Sequence, residues 1–238
     1  MTLIALQLKT STNFEKNLSK LIVKIQKSPK NSLLLAPELY LTGYSYDRLD
    51  EASLITSKAI KLLTKVSKDK IIAITMTTKI NNNYYNTLYL LSNKKLLHTQ
   101  SKLKLFHLGA EQKYFTSGDA KDIKIIEING IKIATLICFE LRFIELWQKV
   151  KGADIILIPA MWGKLRKQNY QSLCNSLAII NQCYVVASDS SNCNMAKGSA
   201  IISPFGKTHI DDSKKVISCI FDKKEITKMR KYLQTDIK

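Results

Sequence analysis

Glycine and proline are scarce, at eight and four residues in a chain of 238. With so little glycine, the usual phosphate-cradling loops have no material. No G-x-G-x-x-G and no Walker A string occurs, nor does a G-x-S-x-G nucleophile turn. Histidine is rarer still: His98, His107 and His209 stand far apart and show no metal-ligand spacing. The five cysteines, Cys138, Cys174, Cys183, Cys193 and Cys219, are odd in number and form no C-x-x-C pair. That argues against a disulfide framework and a zinc ribbon, and it fits a reduced, cytoplasmic chain with one reactive thiol. No segment reaches the roughly 18–20 consecutive apolar residues that a membrane span needs. The opening MTLIALQLK lacks a basic n-region and a cleavage site, so it reads as a first strand and not as a signal peptide.

Acidic residues are also in short supply, 19 against 37 basic ones, for a net charge of +18. A charge of that size fits a nucleic-acid or anionic-membrane partner, or a lysine-rich solvated surface. No run of five or six basic residues occurs, and the densest cluster, KKEITKMRK at 223–231, is interrupted. A dispersed surface is the better reading, with nucleic acid disfavoured as a partner and anionic small substrates favoured. Hydrophobic residues at 45% and charged residues at 24% are ordinary for a globular protein. The length suits one α/β domain over 1–238.

What the chain has in quantity is short apolar strands alternating with amphipathic helices. Residues 2–8, 32–36, 71–76, 154–160, 183–188, 198–203 and 216–221 read as strands. Helices are expected over 13–28, 51–68, 141–151 and 166–181, with a basic helix from about 223. Segments 84–91 and 95–101 read as a hairpin, and Asn129-Gly130 is the strongest two-residue hairpin signal in the chain. Such alternation predicts a layered α/β fold with mixed sheets.

Three chemically able side chains stand at the ends of apolar strands. Glu38 follows LLLAP, Lys102 follows strand 95–101, and Cys138 ends KIATLI. In open α/β sheets, sites gather outside strand ends. Singly, each has a plain alternative: a solvated glutamate, one lysine among many, and a cysteine acting as a small core hydrophobe.

The strings around these residues resemble the nitrilase superfamily of carbon–nitrogen hydrolases. LLLAPELYLTGY is similar to the family's P-E-x-x-x-T-G-Y, SKLKLFHLGAEQKYFTSGD to its K-x-x-L stretch followed by Glu and F-x-x-G, and IATLICFELRFIELW to C-Y-D-L-R-F-P-E-L. GADIILIPAMWG and AIINQCYVVAS…KGSAIISPFGK are similar to later core strands, so the resemblance runs from about residue 3 to 207. The chain departs from the pattern at Lys104 (commonly His), Ile144 (Pro), Ser176 (Arg) and Ile180 (Glu).

The resemblance implies Glu38 as general base, Lys102 as catalytic lysine, Cys138 as nucleophile and Glu111 as accessory glutamate, the last with a surface ion-pair partner as its rival reading. Lys102 and the Phe139 backbone N–H are expected to hold an oxyanion. Lys102 and the helix after Cys138 are expected to favour the thiolate. Neither a metal nor a cofactor is required. Tyr44, Phe139, Arg142, Met161 and Trp162 lie near strand ends and are the pocket candidates, with core packing as the rival reading for Phe139 and Trp162. By resemblance the fold is a four-layer α-β-β-α sandwich that forms a homodimer, with the helices 141–151 and 166–181 as candidate interface. CFELRF stands nearest to the omega-amidase and Nit-like branch. That implies hydrolysis of a small amide through a cysteine thioester. An N-carbamoyl or nitrile hydrolase is the alternative within the family, and a non-catalytic basic nucleic-acid-binding protein on this scaffold is the alternative outside it.

Overall fold

The computed structural model describes residues 1–237. The chain opens with β1 (Thr2–Leu6), crosses through α1 (Phe14–Lys27) to β2 (Ser32–Leu35), and crosses again through α2 (Leu49–Val66) to β3 (Lys70–Ile80). β4 (Asn83–Ser92) and β5 (Lys95–Ser101) follow as antiparallel neighbours. A second series then begins. A hairpin of β6 (Ile126–Ile128) and β7 (Ile131–Thr135) leads through α3 (Ile144–Lys149) to β8 (Ile155–Pro159), then through α4 (Lys167–Ile180) to β9 (Tyr184–Ser188). β10 (Ala200–Ile202) and β11 (Thr208–Ile210) close this series. β12 (Val216–Ile220) returns beside β1, and α5 (Lys223–Tyr232) ends the chain.

The strands form two six-stranded sheets, ordered β12-β1-β2-β3-β4-β5 and β11-β10-β9-β8-β7-β6. Each has three parallel central strands, joined by helical crossovers, and antiparallel flanks. The mixed sheets and flanking helices make the expected α-β-β-α sandwich. Alternation along a strand explains the layering. In β1, Leu3 and Ala5 join the core between the sheets, while Ile4 and Leu6 join the core under α1 and α2. β2 divides the same way, Leu33 and Leu35 inward and Leu34 outward. α1 presents Phe14, Leu18, Leu21 and Ile25 as one buried face, and Asn13 caps it by accepting the Lys16 N–H.

Three hairpin turns use two consecutive left-handed residues: Asn81-Asn82, Asn93-Lys94 and Asn129-Gly130. That backbone matches the right-handed twist of the flanking strands. Two expectations need correction. The helix expected over 141–151 spans only Ile144–Lys149, because Cys138–Arg142 form a 3-10 turn and Phe143 is extended between them. β11 had no counterpart in the sequence reading, since all of its residues are exposed and no apolar alternation marks it.

Topology decides where the site falls. β5 is antiparallel to β4, which is antiparallel to β3, so β5 runs in the direction of β2 and β3. The residues after β2 and β5 therefore emerge at one end of the first sheet. The second sheet meets them there: the Glu38 N–H donates to the Ala160 carbonyl at 3.1 Å, just beyond β8.

Candidate active site

At that end, Glu38, Lys102 and Cys138 come together. Glu38 and Lys102 are fully buried and Cys138 is 7% exposed. The Lys102 Nζ donates to Glu38 Oε1 at 2.8 Å and to Glu111 Oε1 at 2.7 Å. Glu111 is therefore no surface ion-pair partner. It is itself buried, and its second oxygen accepts the Phe106 N–H at 2.9 Å. Tyr44 stands behind the lysine, accepting from Nζ at 3.3 Å and donating to Glu111.

The backbone is unusual at these positions. Cys138 (φ 51°), Leu39 (φ 46°) and Ala110 (φ 56°) are left-handed without being glycine. One is the candidate nucleophile, and the others adjoin Glu38 and Glu111. Such conformations cost of order 1–3 kcal/mol each and persist only where the surroundings hold them. Thr75 supplies part of that hold, its Oγ1 accepting the Leu39 N–H at 2.7 Å.

The electrostatics follow from burial and charge. Burial works against the Lys102 ammonium, but Glu38, Cys138 and Glu111 overcome it and hold its pKa above the ordinary lysine value. The lysine is a fixed cation. Burial, and then the charge of Glu38, raises the Glu111 carboxyl against the pull of Lys102. The Cys138 thiol is pushed well above its usual range by burial and by Glu38, which outweigh Lys102 and the Met161 N–H. Lys102 favours the thiolate as expected, but burial and Glu38 act against it and set the net direction. Glu38 has the free valence for the thiol proton. Its Oε1 is occupied by Lys102 and by Asn86 Nδ2 at 2.9 Å, whereas its Oε2 has no hydrogen-bond partner among the described residues.

Cys138 opens onto a cavity of about 20 Å³ lined by Phe106, Phe139, Arg142, Met161, Trp162 and Arg166, space for about one water-sized group. Of the pocket candidates, Phe139, Arg142, Met161 and Trp162 line this cavity, while Tyr44 lies behind Lys102. Trp162 is also 4% exposed and packs on Tyr170 at 5.3 Å between ring centroids. It therefore packs in the core while one side faces the cavity. Arg142 lies over the Trp162 ring at 4.8 Å and reaches Asn169, and Arg166 lies over Phe106 at 5.2 Å. Among the described residues neither guanidinium has a carboxylate partner. Sequence reasoning missed Phe106, Arg166 and Asn86. The first two carry no period or motif that sets them apart, and Asn86 lies inside a strand whose alternation says only that it faces one side. Among the described residues no group of three or more potential ligands could hold a metal ion.

Comparison with known proteins agrees with this geometry. The family model described as carbon-nitrogen hydrolase matches residues 3–229. A 2-oxoglutaramate amidase of Bacillus subtilis (strain 168) is 32% identical over 203 residues, 80% of this chain and 78% of the relative. A deaminated glutathione amidase of Escherichia coli O157:H7 is 28% identical over 87% of this chain and 84% of its own. Among solved structures, Saccharomyces cerevisiae Nit3, a nitrilase-superfamily member, superposes with a TM-score of 0.87 at 23% identity, covering 99% of this chain and 94% of that one. The fold, the buried lysine–carboxylate cluster and these matches define a carbon–nitrogen-bond-cleaving enzyme. The chain belongs to the carbon-nitrogen hydrolase family, and its reaction class is hydrolysis of a carbon–nitrogen bond.

Proposed function

We propose that this enzyme hydrolyses the terminal amide of a small carboxylic acid, releasing ammonia, with Cys138 as nucleophile, Glu38 as general base and acid, and Lys102 as oxyanion holder. The observation that carries the reading is the buried Lys102 ammonium bridging Glu38 and Glu111 beside Cys138. As the Cys138 sulfur attacks the amide carbon, the thiol proton passes to the free oxygen of Glu38. Lys102 Nζ and the Phe139 N–H hold the tetrahedral oxyanion, one such donor being worth about 3 kcal/mol. Glu38 returns the proton to the nitrogen, the carbon–nitrogen bond breaks, ammonia leaves and a thioester remains. Glu38 then takes a proton from water as its oxygen attacks the thioester carbon. Acid and thiol are released. Glu111 and Tyr44 hold Lys102 in place.

Two features support an acidic substrate. Arg142 and Arg166 line the cavity and have no carboxylate partners among the described residues, a geometry suited to a substrate carboxylate. The B. subtilis relative is a 2-oxoglutaramate amidase, which fits the same chemistry. The reading includes a homodimer formed through α3 and α4, supported by the exposed side chains of Ile144 in α3 and of Ile179 and Ile180 in α4. It places the enzyme in the cytoplasm, in keeping with its five free cysteines.

The test is ammonia release over ω-amides of dicarboxylic acids, plain aliphatic amides, N-carbamoyl compounds and nitriles, run beside Cys138→Ala. The expected result is turnover of the ω-amides by the wild type alone. Arg142→Ala should raise KM for the ω-amide acids on the order of tenfold or more and leave plain amides unaffected. Turnover by Cys138→Ala, or activity confined to nitriles, would overturn the assignment.

A further inference from the structure

Beside the triad sits a buried carboxylate that the mechanism above does not use. Glu140 is fully buried and lies in the 3-10 turn Cys138–Arg142. Among the described residues it has no cationic partner within ion-pair distance. Its two oxygens serve two different sheets. Oε1 accepts the Leu103 N–H and Oε2 accepts the Ile137 N–H, both at 2.6 Å.

The positions of those two N–H groups are what matter. In the first sheet, the ladder between β4 and β5 ends at Thr87 and Ser101, and the Lys102 N–H still reaches the Asn86 carbonyl at 2.8 Å. The next donor along the chain is the Leu103 N–H. In the second sheet, the ladder between β7 and β8 ends at Thr135 and Leu157, and the Leu136 N–H still reaches the Leu157 carbonyl at 3.0 Å. The next donor there is the Ile137 N–H. Glu140 thus takes over where two ladders end, one residue after Lys102 and one residue before Cys138. Buried peptide donors need acceptors, and one carboxylate satisfies both while tying the two strand ends together.

We propose that Glu140 is a positioning residue of the hydrolytic site, whose carboxylate fixes the separation of the Lys102 strand end from the Cys138 turn by accepting one peptide N–H from each. The proposal rests on the triad reading above. It explains why the position carries a carboxylate and not an amide. Glutamine keeps the shape but presents an NH2 group to one of the two peptide donors, so one side of the tie opens. Aspartate keeps both acceptors but is one methylene shorter and cannot span the same gap.

The test compares wild type, Glu140→Gln and Glu140→Asp well below their melting temperatures, with two readouts. One is the split between kcat and KM for amide hydrolysis. The other needs no substrate: the iodoacetamide alkylation rates of Cys138 and of exposed Cys193, resolved by peptide mass spectrometry, with Cys193 as internal reference. Misplacement of reacting groups by a fraction of an ångström should lower kcat on the order of ten- to hundredfold with KM within about twofold. The Cys138-to-Cys193 ratio should change with it, and Glu140→Asp should lie between wild type and Glu140→Gln. A Glu140→Gln protein that melts lower but keeps the wild-type kcat and alkylation ratio would reduce Glu140 to a structural residue and overturn the proposal. Should Glu140→Gln fail to fold, Glu140→Asp decides on the same two readouts: unchanged values overturn the proposal and a fall in both supports it. If the wild type releases no ammonia from any amide, the substrate reading fails while the alkylation ratio still decides the role of Glu140.

Discussion

Glu38 offers two carboxylate oxygens of unequal freedom, and the proposed reaction draws on that inequality. Oε1 is held by Lys102 and Asn86, while Oε2 is buried without a hydrogen-bond partner among the described residues. Glu38→Gln can keep its carbonyl oxygen at the occupied position but places an amide where the thiol proton must go. We expect kcat to fall on the order of a thousandfold, within the range of a lost general base, with the fold retained. Ammonia release and circular dichroism on the same preparation check both parts. Asn86→Ala removes one donor from Oε1 and leaves Lys102 alone to hold it. A hydrogen bond to a charged group is worth about 1.5–3 kcal/mol, so kcat should fall about tenfold or more with KM little changed. The two residues differ in how far the sequence exposed them. Glu38 was visible because a proline-stopped strand delivers it inside a family-like string. Asn86 was not, because its role depends on which strand pairs with which. The same holds for the surroundings of Cys138: a nearby lysine favours a thiolate, while the burial and the charge of Glu38 that raise its pKa depend on the fold.

Elements place these residues through where they stop. β5 ends at Ser101 because the chain turns out of the sheet at Lys102, and Gly118 closes over that exit by donating its N–H to the Lys102 carbonyl at 2.8 Å. A Cβ at Gly118 would lie 2.2 Å from the Ser101 carbonyl oxygen, so a side chain there must push the strand end aside. Gly118→Ala should therefore cost about 1–3 kcal/mol of stability, as overpacking does, and should lower kcat well below the melting temperature. Denaturant midpoints and kcat, measured together, test it. An alanine variant with wild-type values for both would show that the strand end has slack. Most elements were legible in the chain: the α1 stripe of Phe14, Leu18, Leu21 and Ile25 and the Asn129-Gly130 turn signal themselves. α3 was overextended because Phe143, Leu146, Trp147 and Val150 keep helical spacing, and spacing alone cannot register the extended backbone at Phe143 that separates the 3-10 turn from the helix. β11 could not be read at all, since it has only backbone pairing and no buried face.

For the molecule as a whole, joining two sheets face to face buries polar groups that then titrate with folding. Asp189 is fully buried beside the cavity wall, its Oδ1 accepting the Trp162 N–H at 2.9 Å and its Oδ2 the Gly198 N–H at 3.2 Å. Burial pushes its carboxyl up to about 7, against the pull of those N–H groups. Glu140 is likewise pushed up to about 7 by burial, against the Ile137 and Leu103 N–H groups. Both values lie above the ordinary carboxylate range. Between that range and about pH 7 the folded state therefore holds protons that the unfolded chain has released. By linkage, the contribution of these two groups to stability falls as pH rises through this window and levels off above it. The contribution of each group is fully present below the ordinary carboxylate pKa and is lost by the time pH passes about 7. Asp189→Asn removes one of the two titrations. Whatever it costs at pH 4 through the backbone N–H it leaves poorly paired, the gap to wild type should narrow by up to a few kcal/mol on going to pH 8, on the order set by 1.36 kcal/mol per pKa unit. The variant should keep part of the slope, because Glu140 still titrates. Equilibrium urea unfolding of both proteins at half-unit pH steps measures the difference directly. Parallel curves across the window would mean that Asp189 keeps one ionisation state on folding, and a gap that widens with pH would mean that its carboxylate is stabilised by the N–H groups more than burial opposes it.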